Sequence, residues 1–290
     1  MSTIKNIETK IIMCYYVVGD SMGKFDNVLL ASDFDGTLTD SRGIIPERNK
    51  AALEYFISEG GRFSVSTGRT KKGFHRYNES FINAPVILGN GAMAFDYNAQ
   101  RVIFTNAISA EDADIVRRIY KENAPLSMEI YSVVHKTYVL TPNEASIRHF
   151  SGLQIDDYKI IDSIEEDIFP LVKIMLSVGS RTYEVQDYLR NNSMGNMQYI
   201  PCDGSFIEIL SEKAGKGRAL LQLADYYGIK HCDAYAVGDG SNDVDMLKAS
   251  SIGFVPSSGD RLAKAVADRI VCSSDEGAVA DVITALDAIY

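Results

Sequence analysis

The chain has 290 residues and a formal net charge of −10, and 46% of its residues are hydrophobic. This length accommodates about two domains, and the composition is ordinary for a globular protein with a packed core. The acidic balance disfavours nucleic-acid binding as the main role, because nucleic-acid-binding proteins usually carry a basic face, but a small phosphorylated substrate stays open.

Residues 1–26 precede the first clear strand and form an N-terminal extension, whose structure the sequence does not predict. The apolar run at residues 11–18 is too short to span a bilayer, which argues against a membrane role. It faintly resembles a signal peptide, but no clean cleavage site follows it. The scattered cysteines and histidines show neither zinc-ligand spacing nor a disulfide framework, which favours a cytoplasmic location.

The segment LLASDFDGTLT at residues 29–39 is a short apolar run that ends in two aspartates and a glycine. This pattern predicts a buried strand. Side chains two residues apart on a strand lie on the same side, so Asp33 and Asp35 are expected to point into one pocket. Parallel α/β sheets bind ligands at this end of their strands. Two carboxylates this close repel each other, so the site needs a cation or a raised pKa.

The order strand, helix, strand follows directly and predicts a parallel sheet. A helix over residues 46–56 begins at a proline and ends before two glycines, and a strand over 62–66 comes next. A second helix is predicted over 71–80, and another buried strand over 85–88.

The pattern changes at residue 92, where a hairpin (92–95 and 101–104) begins a stretch of mixed strands and helices. Such mixing predicts an α+β module, which we place at 92–203. From residue 206 to the end, predicted strands and helices alternate again, which is typical of a parallel α/β sheet. The predicted fold class is therefore α/β: a Rossmann-like parallel core (27–91 and 204–290) with an inserted α+β cap.

Polar residues follow the predicted core strands and open one helix. Asp239 and Asp243 are four residues apart, so a helix starting between them places both on nearly the same side. Four converging carboxylates require a dication, and oxygen ligands without histidine favour Mg²⁺. Phosphoryl transfer suits this set: an aspartate attacks phosphorus, and Asp35 has the right spacing to act as acid and base. Thr67 and Lys216 can hold phosphate oxygens.

Four segments carry a resemblance to a known family. DFDGTL at 33–38 resembles the D-x-D-G-T-[LV] signature of the haloacid dehalogenase-like (HAD) phosphohydrolases. STGR at 66–69, KGRAL at 216–220 and GDGSNDVDM at 238–246 resemble the second, third and fourth motifs, in the family's order. The insertion between the second and third motifs resembles the C2B cap of the Cof-type subfamily. The resemblance covers about residues 27–290.

The resemblance implies roles for individual residues. Asp33 would be the nucleophile and Asp35 the general acid/base. Mg²⁺ would bind the Asp33 carboxylate, the Asp35 backbone carbonyl and Asp239, with Asp243 nearby. The implied substrate-binding residues are Gly36, Thr37, Arg69, Asn90, Gly91 and Asn242.

The chain departs from the Cof-type pattern at residues 257–259, where SSG replaces a segment that often contains asparagine and alanine. The predicted function is a Mg²⁺-dependent phosphatase of small phosphorylated metabolites such as sugar phosphates. The alternatives are a phosphomutase, a specialised sugar-phosphate phosphatase, and a non-enzymatic phospho-accepting domain, which Asp35 and the insertion argue against. No obligate protein partner is indicated.

Overall fold

The computed structural model describes residues 23–123, 126–192, 195–202 and 204–290. Residues 1–22 of the predicted extension lie outside the described residues. The rest of that extension belongs to the core, because Phe25 is fully buried and packs against the rings of Phe56 and Tyr290. Phe25 is therefore an aromatic anchor that precedes the first strand, and the boundary at residue 26 stays a prediction.

The strands are β1 (Leu29–Ser32), β2 (Arg62–Val65), β3 (Val86–Leu88), β4 (Met93–Asp96), β5 (Arg101–Thr105), β6 (Ser127–Ser132), β7 (Thr137–Leu140), β8 (Lys159–Ile160), β9 (Leu171–Ser177), β10 (Met197–Cys202), β11 (Phe206–Ser211), β12 (Ala234–Val237), β13 (Gly253–Pro256) and β14 (Arg269–Val271). The helices are α1 (Glu47–Ser58), α2 (Lys71–Phe74), α3 (Ala113–Glu122), α4 (Glu144–Gly152), α5 (Thr182–Asn191), α6 (Lys216–Tyr227), α7 (Val244–Ala249), α8 (Arg261–Lys264) and α9 (Ala278–Asp287).

The core is a five-stranded parallel sheet in the order β14–β13–β12–β1–β2. Helices cover both faces, so alternate residues of β1 enter different apolar clusters. Leu30 shares one cluster with Phe56 and Ile283, whereas Leu29 shares the other with Leu220. This arrangement confirms the predicted parallel α/β core and places β1, which leads to Asp33, between β12 and β2.

A second sheet of six strands, in the order β10–β11–β9–β6–β7–β8, is antiparallel except for the pair β7 and β8. We call it the cap sheet. Helices α3 and α5 contribute to one apolar cluster with one face of this sheet. Helix α4, which the sequence analysis did not predict, is capped by Asn143, whose side chain accepts a hydrogen bond from Ser146 N at 2.9 Å.

Strand pairing corrects both predicted boundaries of the module at 92–203. The hairpin of β4 and β5 pairs with β3 in a separate three-stranded sheet, and β3 bridges to the end of β2 between Ser66 and Ile87. At the other end, β11 pairs with β9 and β10 in the cap sheet rather than with the core. Alternation along a strand reveals that it is a strand but not which neighbour it pairs with. The division into two domains itself stays a prediction.

One helix is shorter than the sequence pattern predicts. The helix predicted over 71–80 ends as α-helix at Phe74 and continues only as a single tighter turn to Tyr77. Within the described part of the chain, none of the helices has both the length and the apolar character that crossing a membrane requires.

Candidate active site

Asp33 directly follows β1 and is held at the carboxyl-terminal end of the core strands. Its N–H donates to Val237 O at the end of β12, at 2.8 Å. The chain then turns through Gly36, whose φ of 79° lies in the left-handed region that favours glycine. The turn brings the Thr37 hydroxyl back to donate to Asp239 Oδ1 at 2.9 Å. A Cβ atom on Gly36 would lie 2.9 Å from Asp239 Oδ2, so the turn requires a glycine.

Lys216, in the first turn of α6, projects its fully buried side chain between two carboxylates. Its Nζ lies 2.5 Å from Asp33 Oδ1 and 2.5 Å from Asp243 Oδ1. Burial alone would lower the pKa of Lys216, but the attraction and hydrogen bonds of Asp243 and Asp33 outweigh it and raise the pKa. Lys216 therefore stays a cation, and the third N–H of its ammonium has no acceptor in the part of the chain that the structure describes.

Three carboxylates form a cluster around this lysine. Asp33, Asp239 and Asp243 each offer an oxygen within 4.8 Å of the others. Burial raises the pKa of Asp33 well above its ordinary value, repulsion from Asp243 and Asp239 acts in the same direction, and Lys216 opposes both. Burial also raises the pKa of Asp239, which its hydrogen bond from Thr37 opposes.

The charges and donor atoms of this cluster fit a divalent cation. Three carboxylates and one ammonium leave two negative charges, which a single Mg²⁺ would balance. Carboxylate oxygens are also the donors that Mg²⁺ prefers. The predicted metal ligands Asp33, Asp239 and Asp243 are thus brought together, whereas the Asp35 carboxylate lies outside this group.

The Asp35 side chain is the accessible carboxylate of the site, with 56% of it exposed. Arg69 binds it with two parallel hydrogen bonds, from Nε at 2.8 Å and from Nη2 at 2.7 Å. The guanidinium lies over the rings of Phe34 and Tyr77, which fixes its plane. Thr67 is buried beside it, and its Oγ1 accepts a hydrogen bond from Arg69 N at 3.1 Å.

Asn90, Gly91 and Asn242 line the same edge. Asn90 has a φ of 53°, and its side chain accepts from Asn242 Nδ2 at 3.1 Å and donates to Glu208 Oε2 at 2.8 Å. A Cβ on Gly91 would lie 2.2 Å from Gly215 O, so Gly91 allows this loop to pack against the start of α6. These contacts are structural, and the predicted substrate contacts of these residues and of Gly36 and Thr37 stay predictions.

Two charged residues of the cap sheet were missed by the sequence analysis. Lys173 Nζ lies 2.9 Å from Glu208 Oε1 and donates to Gly68 O at 3.0 Å, next to Thr67 and Arg69. Both side chains are almost fully buried. A lone charge inside each of the apolar strands LVKIMLS and FIEILS was the signal that could have found them.

The loop that departs from the Cof-type pattern supports the carboxylate cluster through its backbone. Asp260 N donates to Asp239 O at 2.8 Å. A Cβ on Gly259 would lie 2.6 Å from a methyl carbon of Val255 and 3.0 Å from Pro256 O. Gly259 therefore allows the loop to close tightly beneath Asp239, although its neighbours differ from the family pattern.

Residues 30–283 match the family of haloacid dehalogenase-like hydrolases. The chain belongs to this family. The predicted membership of the HAD superfamily and its Cof-type branch is confirmed by this match, as is the prediction that the chain is a hydrolytic enzyme. The motifs at Asp33, Thr67, Lys216 and Asp239 all lie within the matched residues.

This HAD hydrolase spans very different shares of its relatives' own lengths. It is 24% identical over 281 residues to the chloroplastic endoribonuclease YBEY of Arabidopsis thaliana, covering 87% of this chain but only 45% of that protein. It is 24% identical over 276 residues to the 5-amino-6-(5-phospho-D-ribitylamino)uracil phosphatase YwtE of Bacillus subtilis, covering 87% of this chain and 95% of that protein.

Solved structures share the fold. A haloacid dehalogenase-like hydrolase from Bacteroides thetaiotaomicron superposes with a TM-score of 0.76 at 22% identity, covering 91% of this chain and 99% of that chain. A HAD subclass IIB sugar phosphatase superposes with a TM-score of 0.76 at 21% identity, covering 90% and 99%. At this identity the likeness supports the architecture of core and cap and no more.

Proposed function

We propose that this HAD hydrolase is a Mg²⁺-dependent phosphatase of small phosphorylated metabolites, sugar phosphates among them. One observation carries the proposal: a buried carboxylate, Asp33, sits with two further carboxylates and an ammonium, while another carboxylate, Asp35, stays accessible beside it. The names of the Bacillus subtilis relative and of the subclass IIB structure, both phosphatases, support the same reaction. The cytoplasmic location predicted from cysteine usage belongs to this proposal.

In the first step, a carboxylate oxygen of Asp33 forms a bond to phosphorus, and the bond from phosphorus to the leaving oxygen breaks. Asp35 gives its proton to that leaving oxygen. Arg69 keeps the Asp35 carboxyl group in place through its two hydrogen bonds. The products of this step are the free alcohol and an aspartyl-phosphate on Asp33.

In the second step, Asp35 takes a proton from a water molecule, and the water oxygen bonds to phosphorus. The bond from phosphorus to the Asp33 oxygen breaks, which releases phosphate and restores the Asp33 carboxylate. Lys216 and the Thr67 hydroxyl would hold phosphoryl oxygens in both steps.

Asp33, Asp239, Asp243 and the backbone carbonyl of Asp35 are the groups that would hold Mg²⁺. When bound, Mg²⁺ offsets the repulsion between the anionic carboxylates and the anionic phosphoryl group. The protein's own contribution to this balance is Lys216, which already pairs with Asp33 and Asp243.

Replacement of Asp33 by Asn tests the proposal. With Mg²⁺ and para-nitrophenyl phosphate, we expect Asp33→Asn to lower turnover by roughly 10³-fold or more, because the amide is a poor nucleophile. Asp114→Asn on the exposed surface of α3 is the matched control and should keep wild-type turnover. Wild-type turnover in Asp33→Asn would overturn the nucleophile assignment. On sugar phosphates, formation of an isomer without phosphate release would indicate the phosphomutase alternative.

A further inference from the structure

Lys173 on β9 and Glu208 on β11 are buried charges on one face of the cap sheet. The residues next to them along the strands, Ile174 and Ile209, belong to the apolar cluster on the opposite face. Strand pairing places two more residues on the face of the charges, which we call the cap face: Glu129 and Tyr131. From this face, the two charges contact loops that follow strands of the core.

Stability alone does not account for the pair of Lys173 and Glu208. Their side chains are 10% and 5% exposed. Taking two charges out of water costs free energy that their attraction barely repays, so apolar residues of similar volume often stabilise a fold as well or better. Apolar residues could not, however, replace the hydrogen bonds that this pair makes to two loops of the site.

Lys173 holds the loop after β2 from the side of the cap sheet. Its Nζ donates to Gly68 O at 3.0 Å. The N–H of the same peptide unit belongs to Arg69 and donates to Thr67 Oγ1 at 3.1 Å. The peptide unit between Gly68 and Arg69 is therefore held at both ends, and it cannot rotate without breaking a hydrogen bond from a buried ammonium.

Glu208 holds the same loop through Asn90. Its Oε2 accepts from Asn90 Nδ2 at 2.8 Å, and Asn90 N donates to Thr67 O at 3.0 Å. A Cβ on Gly68 would lie 3.1 Å from Asn90 Oδ1, so the asparagine packs closely against the peptide unit that Lys173 holds. Because Glu208 Oε1 is also the partner of Lys173, the ion pair connects both contacts.

The orientation of this peptide unit determines what the Thr67 hydroxyl can do. A threonine hydroxyl has one hydrogen to donate and two lone pairs that accept. Arg69 N occupies one lone pair, and Thr67 Oγ1 donates to none of the described residues, so its hydrogen is available to a ligand. A flip of the peptide unit would exchange the directions of its N–H and C=O. The hydroxyl would then donate to Gly68 O instead.

We propose that Lys173 is a positioning residue for phosphoryl transfer: by holding Gly68 O, its ammonium keeps the Thr67 hydroxyl available as a donor to a phosphoryl oxygen. Glu208 keeps the ammonium in place as its counter-charge. The inference rests on the proposed phosphatase function. In this role Lys173 contacts neither the phosphoryl group nor the leaving group, and it acts through Thr67.

A double-mutant cycle between Lys173 and Thr67 tests the inference. With Mg²⁺ and para-nitrophenyl phosphate, we expect Lys173→Met and Thr67→Val each to lower kcat/KM by about tenfold to hundredfold. The double variant should lose little beyond Thr67→Val alone, because Lys173 acts through a hydroxyl that is then absent. The Ki of inorganic phosphate, which has no leaving group, should rise in the same pattern.

The matched control is Lys121→Met on the exposed surface of α3, which should leave kcat/KM unchanged with Thr67 or with Val at position 67. Losses that multiply in the double variant overturn the inference, because a purely structural defect gives that result. Wild-type kcat/KM in folded Lys173→Met, or in Thr67→Val, also overturns it. If Lys173→Met does not fold, the cycle with Lys173→Met/Glu208→Gln decides, because this variant leaves no buried charge unpaired and its amide oxygen can accept from Asn90.

The proposed function can fail separately from this inference. Wild-type turnover that Asp33→Asn abolishes, together with losses that multiply in the cycle, overturns the positioning role of Lys173 and leaves the phosphatase in place. A wild type that releases no phosphate from para-nitrophenyl phosphate with Mg²⁺ overturns both.

Discussion

Two buried lysines mark the two halves of the site and differ in the charge around them. Lys216 of the core lies between Asp33 and Asp243, and a further carboxylate is close by. Lys173 of the cap sheet pairs with Glu208 as its one ion-pair partner among the described residues, and it also donates to a backbone carbonyl. The core cluster keeps excess negative charge that a cation can balance, whereas the cap pair is already neutral. The same residue type therefore leaves negative charge for a cation in one region and completes a neutral pair in the other.

Lys216→Met is expected to give the largest effect on stability. It leaves Asp33 and Asp243 buried and facing each other without a counter-charge, which should lower the free energy of unfolding by about 3–5 kcal/mol. Millimolar Mg²⁺ should restore part of that loss, because the cation can take over the role of the ammonium. Urea unfolding with Mg²⁺ and with EDTA measures both effects.

Lys173→Met is the matched variant in the cap. It should also destabilise, since it leaves Glu208 buried and unpaired, but Mg²⁺ should restore none of the loss. An equal response of the two variants to Mg²⁺ would remove the distinction between the two regions.

Binding of Mg²⁺ by the core carboxylates is expected to have an intermediate effect on the free energy of unfolding. Mg²⁺ at 100 times its Kd should raise the free energy of unfolding of the wild type by about 2.7 kcal/mol. Asp239→Asn keeps an acceptor for Thr37 but removes one charge, so most of this gain should vanish. Thermal unfolding over a Mg²⁺ titration measures the gain, with Asp114→Asn as the surface control. A full Mg²⁺ response in Asp239→Asn would exclude that residue as a ligand.

The two regions also differ in how far the sequence predicts them. Asp33 and Asp239 each follow a buried strand, and parallel strands bring their carboxyl ends to one edge, so their meeting could be predicted. The engagement of Thr37 with Asp239 could not, because it depends on the turn at Gly36. A local motif encodes most of the core site, whereas contacts such as that of Thr37 with Asp239 or of Arg69 with Asp35 follow from no spacing rule.

The cap face depends on register between distant strands. Glu129 and Glu208 flank Met175 only because β9 pairs with β6 on one side and β11 on the other. The sequence pattern alone assigns β11 to the core, so the meeting of these charges could not be predicted. Apolar strands with one charged residue are a sign of such a face, but the partner strand decides what the charge meets.

The smallest expected effect on stability concerns the turn between β6 and β7, where it contacts the hairpin of β4 and β5. His135 lies in the turn between β6 and β7 with its ring against Phe95, at 5.2 Å between centroids. Burial lowers the pKa of His135 to about 4, and the positive charges of Lys71 and Lys72 act in the same direction. The unfolded chain binds this proton below about pH 6.5. The stability linked to His135 is therefore full above pH 6.5 and is lost as the pH falls towards 4.

His135→Asn should flatten that loss, because Asn does not titrate in this range and accepts the positive φ of 66° at this position. The free energy of unfolding of both proteins between pH 7 and pH 4 measures the difference in slope. His231→Asn, at an exposed histidine far along the chain, controls for the general loss of stability in acid. Parallel slopes for the wild type and His135→Asn would mean that protonation of His135 is not linked to unfolding. A steeper slope for the wild type and His231→Asn than for His135→Asn would tie this junction to acid stability without involving either buried lysine.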